Sequence, residues 1–247
     1  MIETITSLIN NQDSFTKYIK DKSCIIVGPD TNLIGKSLGK HIDSFDVVIR
    51  HNTVFEYLPF NNNKLAEDFG TKTHVLYFSP QCIKDYSLNQ GTITKIKKLK
   101  EFGLKYIVYQ NGNKDGKYIY GDYCFKKELL WFKKEMFKLN IAMHYSHDTT
   151  KELTKLMCNE KKELCIPRIG FISIFDMIIH QAKNIEIIGM SFYHGGGHAF
   201  RPKALQVLDP IKNAYGSTSG THDSIIELAL LRKFMEYYDK IKYDFPY

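Results

Sequence analysis

Short apolar runs alternate with amphipathic segments along the whole of this 247-residue chain. The runs predict buried strands over residues 23–27, 46–49, 74–78, 106–109 and 185–188. Between them, apolar residues recur at helical spacing and predict helices over 2–20, 93–102, 125–139, 149–159, 172–182 and 224–238, with another starting near 32–33. Strands that alternate with helices are typical of a mostly parallel sheet in the α/β class.

Two of these helices carry finer expectations. Asp148 precedes the helix over 149–159 and is a suitable N-cap for it. The final helix is expected to bury one face and to leave Arg232 and Lys233 in solvent. The residues of that buried face are Ile225, Leu228, Leu231, Phe234 and Met235.

Nothing in the composition divides the chain, so one domain over residues 1–247 is expected. Hydrophobic residues make up 43% of it, which is typical of a folded globular protein. A chain of this length can bury a full core. The segment 61–67 and the segment 111–122 are expected to be loops that could shape a binding site.

The charge of the chain is +7 at pH 7 and comes largely from lysines, as in the runs 95–100 and 133–134. Such runs usually mark the solvated side of amphipathic helices. An excess of positive charge would attract an anionic nucleotide sugar and nucleic acid equally well. Since no RNA-binding motif accompanies it, no nucleic-acid partner is predicted.

The cysteines and the apolar runs bear on where the protein works. The five cysteines are scattered without a Cys-x-x-Cys pair, so buried free thiols are expected and a structural zinc site is not. The first residues lack the pattern of a signal peptide, and no apolar run is long enough for a membrane span. These features predict a soluble protein of a reducing, cytoplasmic compartment.

Candidate binding residues follow the first two predicted strands. Gly28 ends the first strand, and Asn52 comes just after the second. In open α/β sheets, nucleotides bind at the carboxyl ends of such neighbouring strands. The Asn52 amide can both donate and accept hydrogen bonds, although an asparagine in this place is also an ordinary turn residue.

Four segments together resemble the sialyl motifs of the eukaryotic-type sialyltransferases, glycosyltransferase family 29. Residues 24–52, with the following 68–73, resemble the large motif. Residues 167–172, with 189–192 downstream, resemble the small motif. His198 stands for a short histidine motif, and His222 with Glu227 forms a His-x4-Glu like the very small motif.

The resemblance implies a Rossmann-like fold of the variant glycosyltransferase A type and an inverting transfer from a CMP-linked donor to a glycan hydroxyl. It implies that His222 is the catalytic base and that Glu227 supports the helix or the histidine. It also implies that His198 stabilises the charge of the phosphate as the nucleotide leaves. His194 competes with His198 for that role, and a metal loop built from both is the alternative. By itself, His222 would be interpreted as a helix cap.

The other expected nucleotide contacts come from positions where the chain matches the sialyl motifs or departs from them. Asn52 and Gly170 match nucleotide-binding positions of the family, and Gly28 begins the turn after the first strand. Pro29 replaces a residue with an amide side chain and removes a backbone donor, which Asp30, Thr31 or Asn32 could supply instead.

Arg168 and a missing cysteine are further departures. Arg168 stands in the usual Pro-Ser/Thr start of the small motif and could bind phosphate or the donor carboxylate, or form a surface pair. The cysteine that the family pairs with the equivalent of Cys24 is missing, which fits a reducing compartment.

The donor and its chemistry leave alternatives open. The sequence contains no Asp-x-Asp motif, which fits metal-independent transfer from a nucleoside monophosphate sugar, with no cofactor. The alternatives are a related glycosyltransferase with another nucleotide-sugar donor, a non-catalytic protein that binds nucleotide or glycan, and, more distantly, a Rossmann methyltransferase.

Overall fold

A computed structural model describes residues 13–52, 63–79, 90–110, 126–161, 164–190 and 223–243. In these ranges seven strands form one sheet, and every neighbouring pair is parallel. The strands are β1 Ser23–Val27, β2 Val47–His51, β3 Val75–Phe78, β4 Tyr106–Tyr109, β5 Ala142–Tyr145, β6 Asn184–Ile188 and β7 Ile241–Tyr243. Their spatial order is β5-β4-β3-β2-β1-β6-β7. The predicted α/β class with a parallel sheet is confirmed.

Helices connect the strands and cover the sheet. In the described ranges they are α1 Ser14–Ile19, α2 Gly39–Asp43, α3 Asn63–Phe69, α4 Gln90–Glu101, α5 Lys126–Lys138, α6 His147–Lys161, α7 Ile169–Ile179 and α8 Ser224–Tyr237. A short 3-10 helix, Thr31–Leu33, follows β1. No helix in the described part of the chain is both long and apolar enough to span a bilayer.

Alternate side chains of each strand feed two separate apolar layers, because successive residues of a strand point to opposite faces. Cys24 and Ile26 of β1 pack with α1, α6, α7 and α8, whereas Ile25 and Val27 pack with α4 and α5. The central strands are therefore buried on both faces, which explains why they appear in the sequence as continuous apolar runs.

Several predicted boundaries need correction. The helix expected near 32–33 is only the 3-10 turn, and the expected loop over 61–67 contains the start of α3. Strands β5 and β7 were not predicted, because one carries His144 and is partly exposed and the other has three residues. The N-terminal helix is described only over Ser14–Ile19.

One finer prediction about the helices was wrong, and a second needs correction at one position. Helix α6 begins at His147, so Asp148 lies in its first turn, where a carboxylate favours the helix dipole, and is not the N-cap. In α8, Leu231 and Phe234 are buried and Arg232 and Lys233 are exposed, as predicted, but Ile225 is 53% exposed. The buried face of α8 includes Glu227 in place of Ile225, because the Glu227 carboxylate pairs with the Arg168 guanidinium inside the protein.

The thiols in the described ranges are free, as expected. Cys24 and Cys165 are buried, and Cys158 is partly buried. Cys82 and Cys124 lie outside the described residues.

Candidate functional site

The strand order reverses between β1 and β6, which places a crevice at their carboxyl ends. From β1 the sheet continues through β2 to β5 on one side, and β6 and β7 lie on the other. In open α/β sheets the ligand binds at such a switch point. The candidate site is therefore bounded by the chain segments that leave β1, β2 and β6, together with the first turn of α7.

Gly28 and Gly189 hold the floor of this crevice together. The Gly28 N–H donates to Ile188 O at 2.9 Å, and the Asp30 N–H donates to Gly189 O at 3.1 Å. A Cβ on Gly28 would lie 2.0 Å from Gly189 O, so no side chain fits there. The glycine that ends the first strand is required by this backbone contact.

Met190 fills the space between β1 and α7. A Cβ on Gly170 would lie 2.4 Å from its Cε, and a Cβ on Gly28 would lie 2.5 Å from its Cγ. The Tyr243 hydroxyl donates to Met190 O at 2.6 Å and fixes its backbone. The space left by the missing Cβ of Gly170 is therefore occupied by the Met190 side chain.

Asp30 and Asn32 form the turn after Pro29. The Asp30 side chain is buried, and its Oδ1 accepts from the Asn32 N–H at 2.9 Å, which caps the 3-10 helix. Asn32 itself is exposed at this edge. The Asp30 carboxylate is therefore engaged by the turn, and the exposed Asn32 is the better placed of the two to meet a ligand.

Asn52 links the carboxyl ends of β2 and β3. Its N–H donates to Tyr77 O at 2.6 Å, and its Oδ1 accepts from the Ser79 N–H at 3.2 Å. Its φ of +48° is in the left-handed region, which asparagine tolerates better than most residues. Asn52 is therefore both a turn residue and a residue at the edge of the crevice.

Arg50, one position before His51, is a structural residue that the sequence left without a role. It is fully buried; its Nη2 donates to Phe69 O at 2.6 Å and its Nε to Lys72 O at 3.1 Å. Burial lowers the pKa of its guanidinium to about 10, so it stays charged at neutral pH. The segment 68–73, which resembles the continuation of the large motif, wraps this cation.

Asp68 extends the same scaffold to the loop after β1. Its carboxylate is buried and accepts from the Gly35 N–H at 2.7 Å and from the Ser37 N–H at 2.9 Å. This loop leads from the 3-10 helix to α2. The segment 68–73 thereby fixes the loop that contains Gly35 and Ser37.

Arg168 and Glu227 form a buried ion pair between α7 and α8. Glu227 is fully buried, and its Oε1 accepts from the Arg168 N–H at 2.7 Å. Its Oε2 accepts from Arg168 Nη1 at 3.0 Å. Burial raises the pKa of Glu227, and the contacts with Arg168 oppose that shift. The pair is internal, so the sequence alternative of a surface pair for Arg168 is wrong.

His51 and Ser173 make a second polar link, between β2 and α7. The Ser173 hydroxyl donates to Gly170 O at 2.7 Å and lies 2.9 Å from His51 Nε2. Because the serine proton is already used, the Nε2 atom carries a proton and donates it to Ser173 Oγ. Burial, followed by the charge of Arg50, lowers the pKa of His51 to about 3, so the ring is neutral.

These links extend into a buried polar row on α7. Ser173 and Asp176 of α7 and His180, its C-cap residue, follow at helical spacing, and the rest of the helix is apolar apart from Gly170. The Tyr77 hydroxyl donates to Asp176 Oδ2 at 2.8 Å, and His180 Nδ1 lies 2.7 Å from Thr16 Oγ1 on α1. The sequence predicts an apolar helix here, and polar residues at spacings of three and four are the signal that would have indicated the buried row.

Asp223 is the N-cap of α8. Its Oδ1 accepts from the Ile225 and Ile226 N–H groups, each at 3.1 Å. Asp223 therefore caps this helix, and the interpretation of His222 as the cap is wrong. His222, His198 and His194 lie outside the described residues.

No described set of three or more His, Cys, Asp or Glu side chains is grouped so that it could hold a metal ion. The described edge carries the exposed Asn32, the amide side chain of Asn52 and the Arg168–Glu227 pair. Such an arrangement suits an uncharged or anionic ligand that is held by hydrogen bonds.

Several solved sialyltransferases are similar in fold to this chain. The α-2,3-sialyltransferase Cst-I from Campylobacter jejuni has 18% sequence identity and a TM-score of 0.55, with 90% of this chain and 74% of that chain covered. A CMP complex of the sialyltransferase Cst-II has 15% identity and a TM-score of 0.54, with 90% and 80% covered. A mammalian sialyltransferase bound to Gal-beta-1-3GalNAc-ortho-nitrophenol has 14% identity and a TM-score of 0.52, with 97% and 76% covered.

The family assignment rests on the sequence itself. A comparison with curated protein sequences gives no match. The family model for glycosyltransferase family 29 (sialyltransferase) matches residues 1–189, which contain the segment that resembles the large motif and residues 167–172 of the one that resembles the small motif. The chain belongs to glycosyltransferase family 29, the sialyltransferases, and is a glycosyltransferase.

Proposed function

We propose that this glycosyltransferase is an inverting, metal-independent enzyme that moves sialic acid or a related sugar from a CMP-linked donor to a glycan hydroxyl. The observation that carries the proposal is the convergence of three motif segments on the first turn of α7. His51 reaches that turn through Ser173, and Glu227 reaches it through Arg168. The fold relatives solved with CMP and with a galactose-containing acceptor support the choice of donor and acceptor.

The proposed donor site is the crevice at the ends of β1, β2 and β6. Its hydrogen-bonding groups would hold the nucleotide, while Met190 supports the backbone around it. The backbone N–H and the Nη1 of Arg168 both donate to the Glu227 carboxylate. Arg168 would therefore act chiefly by fixing the turn that carries Gly170. The proposed donor-binding residues are Gly28, Asp30, Asn32, Asn52 and Gly170, and Arg168 is proposed to position them through its turn.

The proposed chemistry uses two histidines. His222 takes the proton of the acceptor hydroxyl, whose oxygen attacks the anomeric carbon from the side opposite the phosphate. The bond from that carbon to the phosphate oxygen breaks, and its electron pair leaves with CMP. His198 donates a hydrogen bond to the departing phosphate. Because His222 directly precedes the cap of α8, the Arg168–Glu227 pair would hold the base over the crevice.

The first experiment tests the donor by thermal shift with CMP, CDP, UMP, UDP, GDP and S-adenosylhomocysteine, each with and without EDTA. A ligand at 100 times its Kd stabilises the folded state by about 2.7 kcal/mol. Stabilisation by CMP that survives EDTA is the expected result. Stabilisation by another nucleotide, with CMP silent, would contradict the CMP donor.

The second experiment tests the base. His222→Ala should abolish sugar transfer and leave CMP binding intact, because the base acts on the acceptor and not on the nucleotide. His41→Ala is the matched control, since this histidine is exposed and pairs with Glu186 on the surface. Full activity in the His222 variant would exclude it as the base. CMP binding without turnover in the wild-type chain would instead favour the non-catalytic alternative.

A different nucleotide-sugar donor is the second candidate. Pro29 removes a backbone donor at the crevice, and the Asp30 carboxylate is already bonded to the turn. The nucleotide contact that the family makes at the position of Pro29 would then have to come from another group, such as Thr31 or Asn32. Competition by a nucleotide other than CMP in the same thermal-shift panel would identify that donor.

A further inference from the structure

The outer side of α4 and α5 concentrates the positive charge of the molecule. Together these two helices contain nine lysines and three glutamates, a net charge of +6 against +7 for the whole chain. They connect β3 to β4 and β4 to β5, and both pack on the same face of the sheet. The lysine runs that the sequence assigns to solvent therefore lie on the same side of the sheet, and they are called the basic surface below.

Two large apolar side chains stand exposed within this basic surface. Phe137 is 86% exposed and Leu130 is 49% exposed. They are seven positions apart, two turns of helix, and so lie on the same side of α5. Lys126, Lys127, Lys134 and Lys138 are also exposed on this helix. The two acidic residues of α5, Glu128 and Glu135, are partly buried, and Glu135 accepts from Lys138 Nζ at 2.6 Å.

We propose that the outer face of α4 and α5 docks on an anionic lipid bilayer. Phe137 and Leu130 would enter the boundary between headgroups and acyl chains, and the surrounding lysines would bind lipid phosphates and carboxylates. Lysine suits this position, because its apolar stem can lie along the lipid while its charge stays at the headgroups. The proposal is independent of the donor and acceptor of the enzyme.

Other occupants fit the surface less well. A second copy of the chain would bring two faces of +6 together, which like-charge repulsion opposes. A nucleic acid would match the lysines and could stack a base on Phe137, but the exposed Leu130 gives it no hydrogen bond and no stacking partner. The segments of α4 and α5 also contain no arginine, the residue most used to read phosphate and bases together.

Co-sedimentation with vesicles tests the proposal. We expect the full chain to sediment with phosphatidylcholine vesicles that contain roughly one third phosphatidylserine, and not with pure phosphatidylcholine. The bound fraction should fall as salt is added, because the surface potential is screened. No sedimentation with the anionic vesicles at low salt would overturn the proposal.

Variants locate the contact. Phe137→Ala should weaken vesicle binding on the order of tenfold, through the lost apolar area. The double variant Lys127→Gln/Lys134→Gln should weaken it about 25-fold, since each lysine near the surface is worth roughly a factor of five. The matched control is Tyr237→Ala, because this side chain is 58% exposed on α8, which packs in the other layer. Equal losses in Phe137→Ala and Tyr237→Ala would place the contact elsewhere and overturn the proposal.

A competing outcome is measured in the same preparation. Fluorescence polarisation with a labelled single-stranded and a labelled double-stranded oligonucleotide shows whether nucleic acid binds. If the lysine variant loses oligonucleotide binding while Phe137→Ala keeps it, and vesicles do not bind, the surface serves nucleic acid and the bilayer proposal is wrong. Circular dichroism of each variant confirms that the compared proteins are folded.

Discussion

Helices α7 and α5 cover opposite faces of the same sheet and use their polar side chains in opposite ways. On α7, Ser173, Asp176 and His180 are buried between the helix and its neighbours, and each meets a polar partner. On α5, the side chains that pack on the sheet are apolar, as in the stacked pair Phe132 and Phe78, and the lysines lie outside.

The difference matches the position of each helix relative to the crevice. The first turn of α7 borders the site and is tied to β2 and α8 by atoms at hydrogen-bond distance. Hydrogen bonds fix direction and register more strictly than apolar contacts do, which accept many neighbouring arrangements. We infer that the α7 layer holds the candidate site in place, whereas the α5 layer supplies stability inside and a charged surface outside.

The largest expected effect on the α7 layer comes from Glu227→Ala. It leaves Arg168, whose side chain is 14% exposed, without its carboxylate partner. Loss of one member of a buried ion pair typically costs about 3–5 kcal/mol. Urea unfolding should show this loss in the free energy of unfolding. A loss below about 1 kcal/mol would mean that the pair is not formed, and Glu236→Ala, near the other end of α8, serves as the control.

Asp176 makes the same layer sensitive to pH. Burial raises the pKa of this carboxyl to about 6, and Asp13 raises it further, while His144 and the hydrogen bonds from Thr149 and Tyr77 lower it. A folded pKa above the unfolded one gives stability that is complete below pH 4 and is lost as the pH rises through 6. The lowered pKa values of His51 and His180, each about 3, act in the opposite direction, so stability from these groups falls as the pH drops below 6.5.

The variant Asp176→Asn separates these two trends. Because the amide does not ionise, the stability of this variant relative to the wild type should rise between pH 4 and pH 7. The expected change is on the order of 3 kcal/mol, from a shift of about two pKa units at roughly 1.4 kcal/mol each. Unfolding midpoints measured across this pH range check it. A difference between variant and wild type that stays constant with pH would show that Asp176 does not ionise in this range.

The sequence predicts the elements of the fold well because their signals are local. The apolar run over 23–27 coincides with β1, and the run over 106–109 coincides with β4. Gly28, at the end of β1, is also visible, since a glycine there marks a break. Strand β7, Ile241–Tyr243, is too short to give any periodicity, and its place is set by pairing with β6.

The contacts of the site are not local, which is why the sequence could not give them. His51 and Ser173 are separated by 122 positions, and Arg168 and Glu227 by 59. Family resemblance suggested that Glu227 braces the site, but its partner emerged only from the fold. The polar positions of α7 were readable as a pattern, whereas the strands and helices that they meet depend on the order of the sheet.

A smaller loss is expected from Ser173→Ala. The variant leaves the Nε2–H of His51 buried without an acceptor, which should cost about 1–3 kcal/mol. In the double variant with His51→Leu, the donor is removed as well, so the combined loss should be less than the sum of the single losses. Thermal or urea unfolding measures this coupling. Ser44→Ala, an exposed serine on the other side of the sheet, should change stability by less than about 0.5 kcal/mol.

The smallest effect on stability is expected where the α5 layer meets solvent. Phe137→Ala should change the free energy of unfolding by less than about 0.5 kcal/mol, because the side chain is 86% exposed. Phe132→Ala, five positions earlier on the same helix, removes a fully buried ring and should cost about 3–5 kcal/mol. Urea unfolding of the two variants compares the inside and the outside of one helix with the same substitution. A loss above about 2 kcal/mol for Phe137→Ala would mean that its ring is covered by another part of the chain, and the basic surface would then lack the apolar anchor that bilayer docking needs.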